Sequence, residues 1–172
     1  MTPGRIHAEA RAAAPAVSDA ATREWQLLAQ SQVLLGGEEI VSAPLHSRLA
    51  VHEAIVGRRF PYASLQCLIT ALPSLAEADV IKVLGISDRT LRRQRETPMN
   101  PMPPALASKT WLLAETLAKA SEVFGSQGKA EEWLSKPAMG LDGQRPIELL
   151  QTVQGAELVN DFLTRLDYGV YC

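Results

Sequence analysis

Residues 74–96 read SLAEADVIKVLGISDRTLRRQRE. Ser74-Leu-Ala-Glu77 has the Ser-x-x-Glu form of a capping box, in which a hydroxyl and a carboxylate satisfy the free N–H groups of a helix start. Val80, Ile81, Val83 and Leu84 then supply an apolar helix face. Gly85 stops that helix, Ile86 follows as a buried plug, and Ser87 caps a second short helix through Glu96. An aliphatic helix, a glycine turn, an apolar residue and a polar second helix, in that order, make the grammar of a helix-turn-helix. Leu91 is placed toward the core. Ser87, Arg89, Thr90, Arg92, Arg93 and Arg95 are the candidates to meet DNA phosphate or guanine. A solvated basic helix in an ordinary bundle accounts for the arginines alone, and the turn weighs in favour of a DNA-binding fold.

Toward the N-terminus, Ser64 precedes Leu65, Leu68, Ile69 and Leu72, with Pro73 as the stop, and predicts a further short helix. Leu45, Leu49, His52, Ile55 and Val56 recur at helical spacing up to Gly57. Ser18-Asp19 starts a helix that runs through Trp25, Leu28 and Val33 to Gly36-Gly37, and the alanine-rich stretch 1–17 lacks the apolar content to pack. Toward the C-terminus, Thr97 to Pro104 holds four prolines in eight residues and cannot be helix or central strand. It is expected to be extended and to separate two packing units. Leu106, Thr110, Leu113, Leu117, Ala120 and Phe124 then step along the longest helix, to Gly125. Ser126 caps the next, with Glu131 and Glu132 on its exposed face and Trp133 and Leu134 inward. Pro146 opens another, and Gly155 separates a final helix that buries Val159, Phe162, Leu163 and Leu166 and ends before Gly169. No segment alternates with period two, so the class is all-α. The division expected is a partly disordered extension over 1–44, a helix-turn-helix domain over 45–97 and a small helical domain over 105–172.

The 172 residues are 47% hydrophobic and 21% charged, the profile of a soluble globular protein, and a cytoplasmic location is expected. The charge is unevenly spread. Arg48 to Lys109 carries nine Lys/Arg against five acids, whereas Thr110 to Cys172 carries five against nine. His7, His46 and His52 do not share a helix face for a metal, and no phosphate-binding glycine loop or hydrolase motif occurs. Cys67, set among Leu65, Leu68 and Ile69, reads as a small buried hydrophobe. No enzymatic constellation and no cofactor are expected.

Beyond the linker, the residue types fall at fixed spacings. They are Ala120-x-x-Val123-Phe124-Gly125, Ala130-x-x-Trp133-Leu134, Pro137, Leu141-x-Gly143-x-Arg145-Pro146-x-x-Leu149-Leu150-x-Thr152-x-x-Gly155 and Val159-x-x-x-Leu163-x-Arg165-x-x-x-Gly169-Val170. This pattern resembles the toxin-binding domain of the Xre/MbcA/ParS antitoxin family, from about Leu106 to Cys172. The middle of the chain is similar to the Xre-type helix-turn-helix found upstream in that family. Residues 1 to about 45 lie outside the resemblance.

The resemblance implies an antitoxin. Its partner would be a toxin with a RES domain, an ADP-ribosyltransferase-like fold that uses NAD, and its C-terminal end would reach the NAD cleft. Arg165, Tyr168, Gly169, Val170, Tyr171 and Cys172 are then the toxin-binding candidates, the last three forming a narrow plug. Arg165 has two readings: a partner for an acidic catalytic group, or an exposed cation set against the helix C-terminal dipole. The family also implies repression of its own operon, with operator DNA bound by a homodimer or a larger toxin-antitoxin assembly. A different class stays open, a stand-alone transcription regulator whose C-terminal helices serve dimerisation or sensing.

Overall fold

The computed structural model describes residues 19–169. Within them lie α1 (Asp19–Leu34), α2 (Gly37–Ile40), α3 (Arg48–Val56), α4 (Tyr62–Thr70), α5 (Glu77–Leu84), α6 (Asp88–Arg95), α7 (Pro104–Phe124), α8 (Gln127–Ser135), a 3-10 turn (Met139–Leu141), α9 (Pro146–Leu149) and α10 (Val153–Asp167). The described residues form no strand, so the all-α class is observed. None of these helices is long and apolar enough to cross a membrane. The expected tail over 1–17 and the cap at Ser18 lie outside the described residues.

At the centre is α7. Pro104 occupies its first turn, where a missing N–H costs nothing, and Gly125 ends it with a φ of 79°. Leu106, Ala107, Trp111, Leu113, Ala114, Leu117 and Ala120 are all buried, so the apolar surface wraps around the helix instead of forming one stripe. Six helices pack on it: α1, α3, α4, α5, α8 and α10. Apolar residues from both sides of the proline segment belong to one contiguous core that includes Leu65, Val80, Leu91, Leu117, Leu134 and Leu163.

The proline segment is not extended throughout as expected: residues 97–100 form a turn in which the Asn100 N–H donates to the Thr97 carbonyl at 3.1 Å, only 101–103 run on without a turn, and the polar groups of the segment cap a helix. The carbonyls of Pro98 and Asn100 accept the N–H groups of Ala63 (2.7 Å) and Tyr62 (3.0 Å), and the N–H of Met102 donates to the Phe60 carbonyl at 2.8 Å. A segment poor in donors but intact in acceptors suits the donor-rich start of α4. Helix α4 therefore starts at Tyr62, and Ser64, expected to cap it, is buried inside the first turn with its hydroxyl donating to the Pro61 carbonyl. The expected capping box at Ser74 does not form either, because α5 begins only at Glu77. The Ser74 N–H is taken by Glu131, which is 1% exposed rather than on the solvent face read from the sequence. Glu131 also accepts from Gln127 at 2.9 Å, and Gln127 reaches the Ala71 carbonyl. A buried carboxylate so satisfied is tolerable, because its donors replace water.

Helix α1 packs along α7 with Leu28 and Leu35 buried, and its buried Gln32 donates to the Ala43 carbonyl at 3.0 Å, pinning the chain that leads to α3. Helix α10 begins earlier than expected, at Val153, because Thr152 caps it by accepting the Gly155 N–H at 3.1 Å. Gly155 sits in the first turn, where a β-carbon would overlap the backbone carbonyl of Leu149.

Two glycines inside helices thus differ in physical role. A β-carbon on Gly128 in α8 would meet nothing within 4 Å. Gly128→Ala should raise stability by about 0.5–1 kcal/mol through helix propensity alone. Gly155→Ala should lower it by about 2 kcal/mol or more, since backbone must move. Thermal melts of the two variants should shift in opposite directions.

Candidate functional site

The turn between α5 and α6 is a Schellman motif. The Ile86 N–H reaches the Ile81 carbonyl and the Gly85 N–H the Lys82 carbonyl, both at 3.3 Å, with Gly85 at φ 68°. Ser87 then accepts the Thr90 N–H at 3.2 Å and shares a hydroxyl contact with Thr90 at 3.0 Å. Leu91 is the buried residue of α6, as its inward placement requires. Two short helices joined by a glycine turn, the second capped by Ser87, are therefore present where the sequence places them.

The six DNA-binding candidates separate into two kinds. Arg89, Arg92 and Arg93 are exposed and make no ion pair among the described residues. Arg95 instead lies on Glu77, its guanidinium 3.0 and 3.2 Å from the two carboxylate oxygens. Ser87 and Thr90 are engaged in the cap. A further cation arrives from α7, where a β-carbon on Gly85 would come within 3.3 Å of the Lys109 ammonium. In the sequence Lys109 stands past the prolines, with nothing to associate it with this turn.

The C-terminal candidates are carried by α10. Its buried face is Gly155, Ala156, Val159 and Leu163, with Phe162 partly buried. On one flank, Lys119 of α7 donates to the Asn160 side chain at 2.5 Å, the Asn160 carbonyl at 3.2 Å and the Thr164 hydroxyl at 2.6 Å. Burial of that ammonium lowers its pKa below the usual lysine value, and the charge of Glu115 partly offsets the effect. Arg23 of α1 meets Asp167 at 3.7 Å near the end of α10. Tyr168 is 71% exposed, and Gly169 takes the left-handed conformation expected of a stop, φ 66°. Arg165 is exposed in the last turn and makes no ion pair with a described residue, a placement that suits both of its readings. Val170, Tyr171 and Cys172 lie outside the described residues.

Arg145, a spacing landmark in the sequence, joins the two regions. It lies 2.5 Å from Asp79 of α5, donates to the Ser135 carbonyl at 2.8 Å, and faces Glu148 at 3.5 Å. The hydrogen bond to Asp79 raises its pKa further, so the charge is permanent. Lys82 of α5 extends the cluster to Glu148 at 3.7 Å. Helix α5 is thereby tied to α9. Cys67 is partly buried, and no group of metal-ligating side chains occurs among the described residues.

Residues 119–169 match the Xre/MbcA/ParS antitoxin C-terminal toxin-binding domain. The chain is 33% identical over 99 residues to antitoxin Xre of Yersinia enterocolitica, an overlap of 57% of this chain and 66% of that protein. It is 35% identical over 81 residues to antitoxin Xre of Pseudomonas putida, 47% of this chain and 50% of that one. The chain thus spans between half and just under two thirds of these relatives. A 6-hydroxy-3-succinoylpyridine 3-monooxygenase of Pseudomonas putida is 37% identical over 65 residues, 35% of this chain, but the overlap is 21% of that protein and carries no argument about a reaction. The matches to the domain and to the two antitoxins agree with one another, and residues 119–169 belong to the Xre/MbcA/ParS antitoxin C-terminal toxin-binding domain family.

Proposed function

We propose that this protein is the neutralising half of a toxin-antitoxin pair. Its partner is a RES-domain toxin that uses NAD, and its C-terminal region occludes the toxin's active site. The observation that carries this reading is the toxin-binding domain over residues 119–169, which ends in a helix with Arg165 and Tyr168 exposed. Neutralisation by occlusion needs no catalytic group of its own, only a surface that competes with substrate. In this reading 105–172 is the toxin-binding unit, 45–97 the DNA-binding unit and 1–44 an extension, all mounted in a cytoplasmic protein.

Operator binding and autoregulation belong to the same proposal. Support comes from the Schellman turn, the Ser87 cap and three exposed arginines with no ion-pair partner among the described residues. A formal net charge of −2 favours binding through two such helices, in a homodimer or a larger assembly with the toxin. Of the six candidates, Arg89, Arg92 and Arg93 are the phosphate and base contacts, whereas Ser87 and Thr90 act by fixing the helix start. Arg95 contributes after release from Glu77.

The Arg92→Ala, Arg93→Ala double variant should lose promoter binding and keep toxin neutralisation, and the parent's affinity should fall steeply with salt because each neutralised phosphate releases counterion. Equal promoter affinity in a mobility-shift titration would remove DNA recognition from α6.

A chain ending at Gly169 tests the plug. It should melt within a few degrees of the parent, bind the toxin more weakly, and allow NAD turnover at saturating concentration. Full inhibition by that shortened chain would assign neutralisation to the helical surface alone. A full-length chain that neither binds nor inhibits the protein encoded by the adjacent reading frame would overturn the antitoxin reading in favour of a stand-alone regulator.

A further inference from the structure

Among the exposed large apolar side chains, Met139 stands out at 90% exposure. It opens the 3-10 turn, and that turn is held from both sides. The Ala138 N–H donates to the Gln144 carbonyl at 3.0 Å and the Gly143 N–H to the Ala138 carbonyl at 3.0 Å. Gly140 lies flush against the Phe162 ring, where a β-carbon would overlap ring atoms. Phe162 in turn stacks on Trp133 with centroids 6.0 Å apart and planes 6° apart, and Trp133 packs against Phe124 at 5.2 Å. Met139 is therefore presented to solvent on a braced support, not on a loose loop.

Leu158 and Arg165 lie on the same flank of α10 as Phe162, one turn before it and about one turn after. Leu158 is 54% exposed, and Arg165 has no ion-pair partner among the described residues. An adaptable methionine on a turn that rests on Phe162, with a leucine and an arginine on the same flank of α10 as that ring, has the make-up of an interface centre.

We propose that the ridge formed by Met139, Leu158 and Arg165 is the principal docking surface for the toxin. The partner surface it fits is a shallow apolar socket that receives Met139, bordered by a carboxylate that pairs with Arg165. Two observations favour the toxin over a second copy of this chain. The ridge lies wholly inside the segment matched to a toxin-binding domain, and a two-fold contact centred on it would bring the two Arg165 charges together. The inference rests on the antitoxin reading and adds to it the surface that does the binding, separate from residues 170–172.

The test is a calorimetric titration of the full chain with the purified protein encoded by the adjacent reading frame. Met139→Asp and Leu158→Asp, singly and together, should weaken binding, the pair by about 30-fold or more, as loss of interface anchors does. Met139→Leu should bind like the parent. Both aspartates replace exposed side chains, so far-UV circular dichroism and promoter affinity should stay at parental values. Parental toxin affinity in the double variant would overturn the ridge while leaving the antitoxin reading intact. Parental toxin affinity accompanied by loss of self-association would reassign the ridge to a second copy. No binding by the parent chain would overturn both.

Discussion

The structure depends on one constraint, that α7 must be enclosed on several faces at once. An amphipathic helix of this length would need one partner layer, but ten of the 21 side chains of α7 are buried and they point in different directions. Alanines at 107, 114, 118 and 120 are what make this possible, since a small side chain lets a neighbouring backbone come close. The N-terminal helices and the C-terminal helices are thus two coats on the same rod. Neither coat has an apolar partner of comparable extent elsewhere in the described residues.

Polar contacts then fix how those coats meet. Arg145 and Glu131 reach from the C-terminal helices to Asp79 and Ser74, in and just before α5. Both use geometry more than energy. An ion pair with partly exposed members contributes about 1 kcal/mol or less, and a buried carboxylate roughly recovers its desolvation cost through its hydrogen bonds. Their effect is to make one relative placement of α5, α8 and α9 satisfied and displaced ones costly, because displacement would leave buried charge without donors.

This arrangement leaves two groups of side chains exposed and without ion-pair partners among the described residues, and they suit different chemistries. Arg89, Arg92 and Arg93 are exposed cations on a helix capped by Ser87, suited to a polyanion. Met139 and Leu158 are apolar groups on a braced surface, suited to another protein. Arg95, by contrast, is held within its own motif by Glu77, so the local basic count overstates the charge available to DNA.

Local rules written in the sequence determined the all-α class, the limits of α7, the turn at Gly85, the caps at Ser87 and Ser126, and the stop at Gly169. Each of these depends on residues within one turn of one another, so spacing alone reveals it. The resemblance carried by Arg145-Pro146 and its flanking landmarks located the toxin-binding segment in the same way. Only the tertiary structure decided where Ser64, Ser74 and Glu131 would serve. The proline segment takes the N–H groups of Tyr62 and Ala63 and so starts α4 ahead of Ser64, while Glu131 of α8 takes the Ser74 N–H and its neighbour Gln127 reaches the end of α4; these partners are far away in sequence, and a distant partner can outcompete a local cap. The same holds for Lys109 beside Gly85, Arg145 against Asp79, and the Met139 turn seated on Phe162. Periodicity shows which face of a helix is apolar, but a contact between distant segments exists only after the chain has closed around α7.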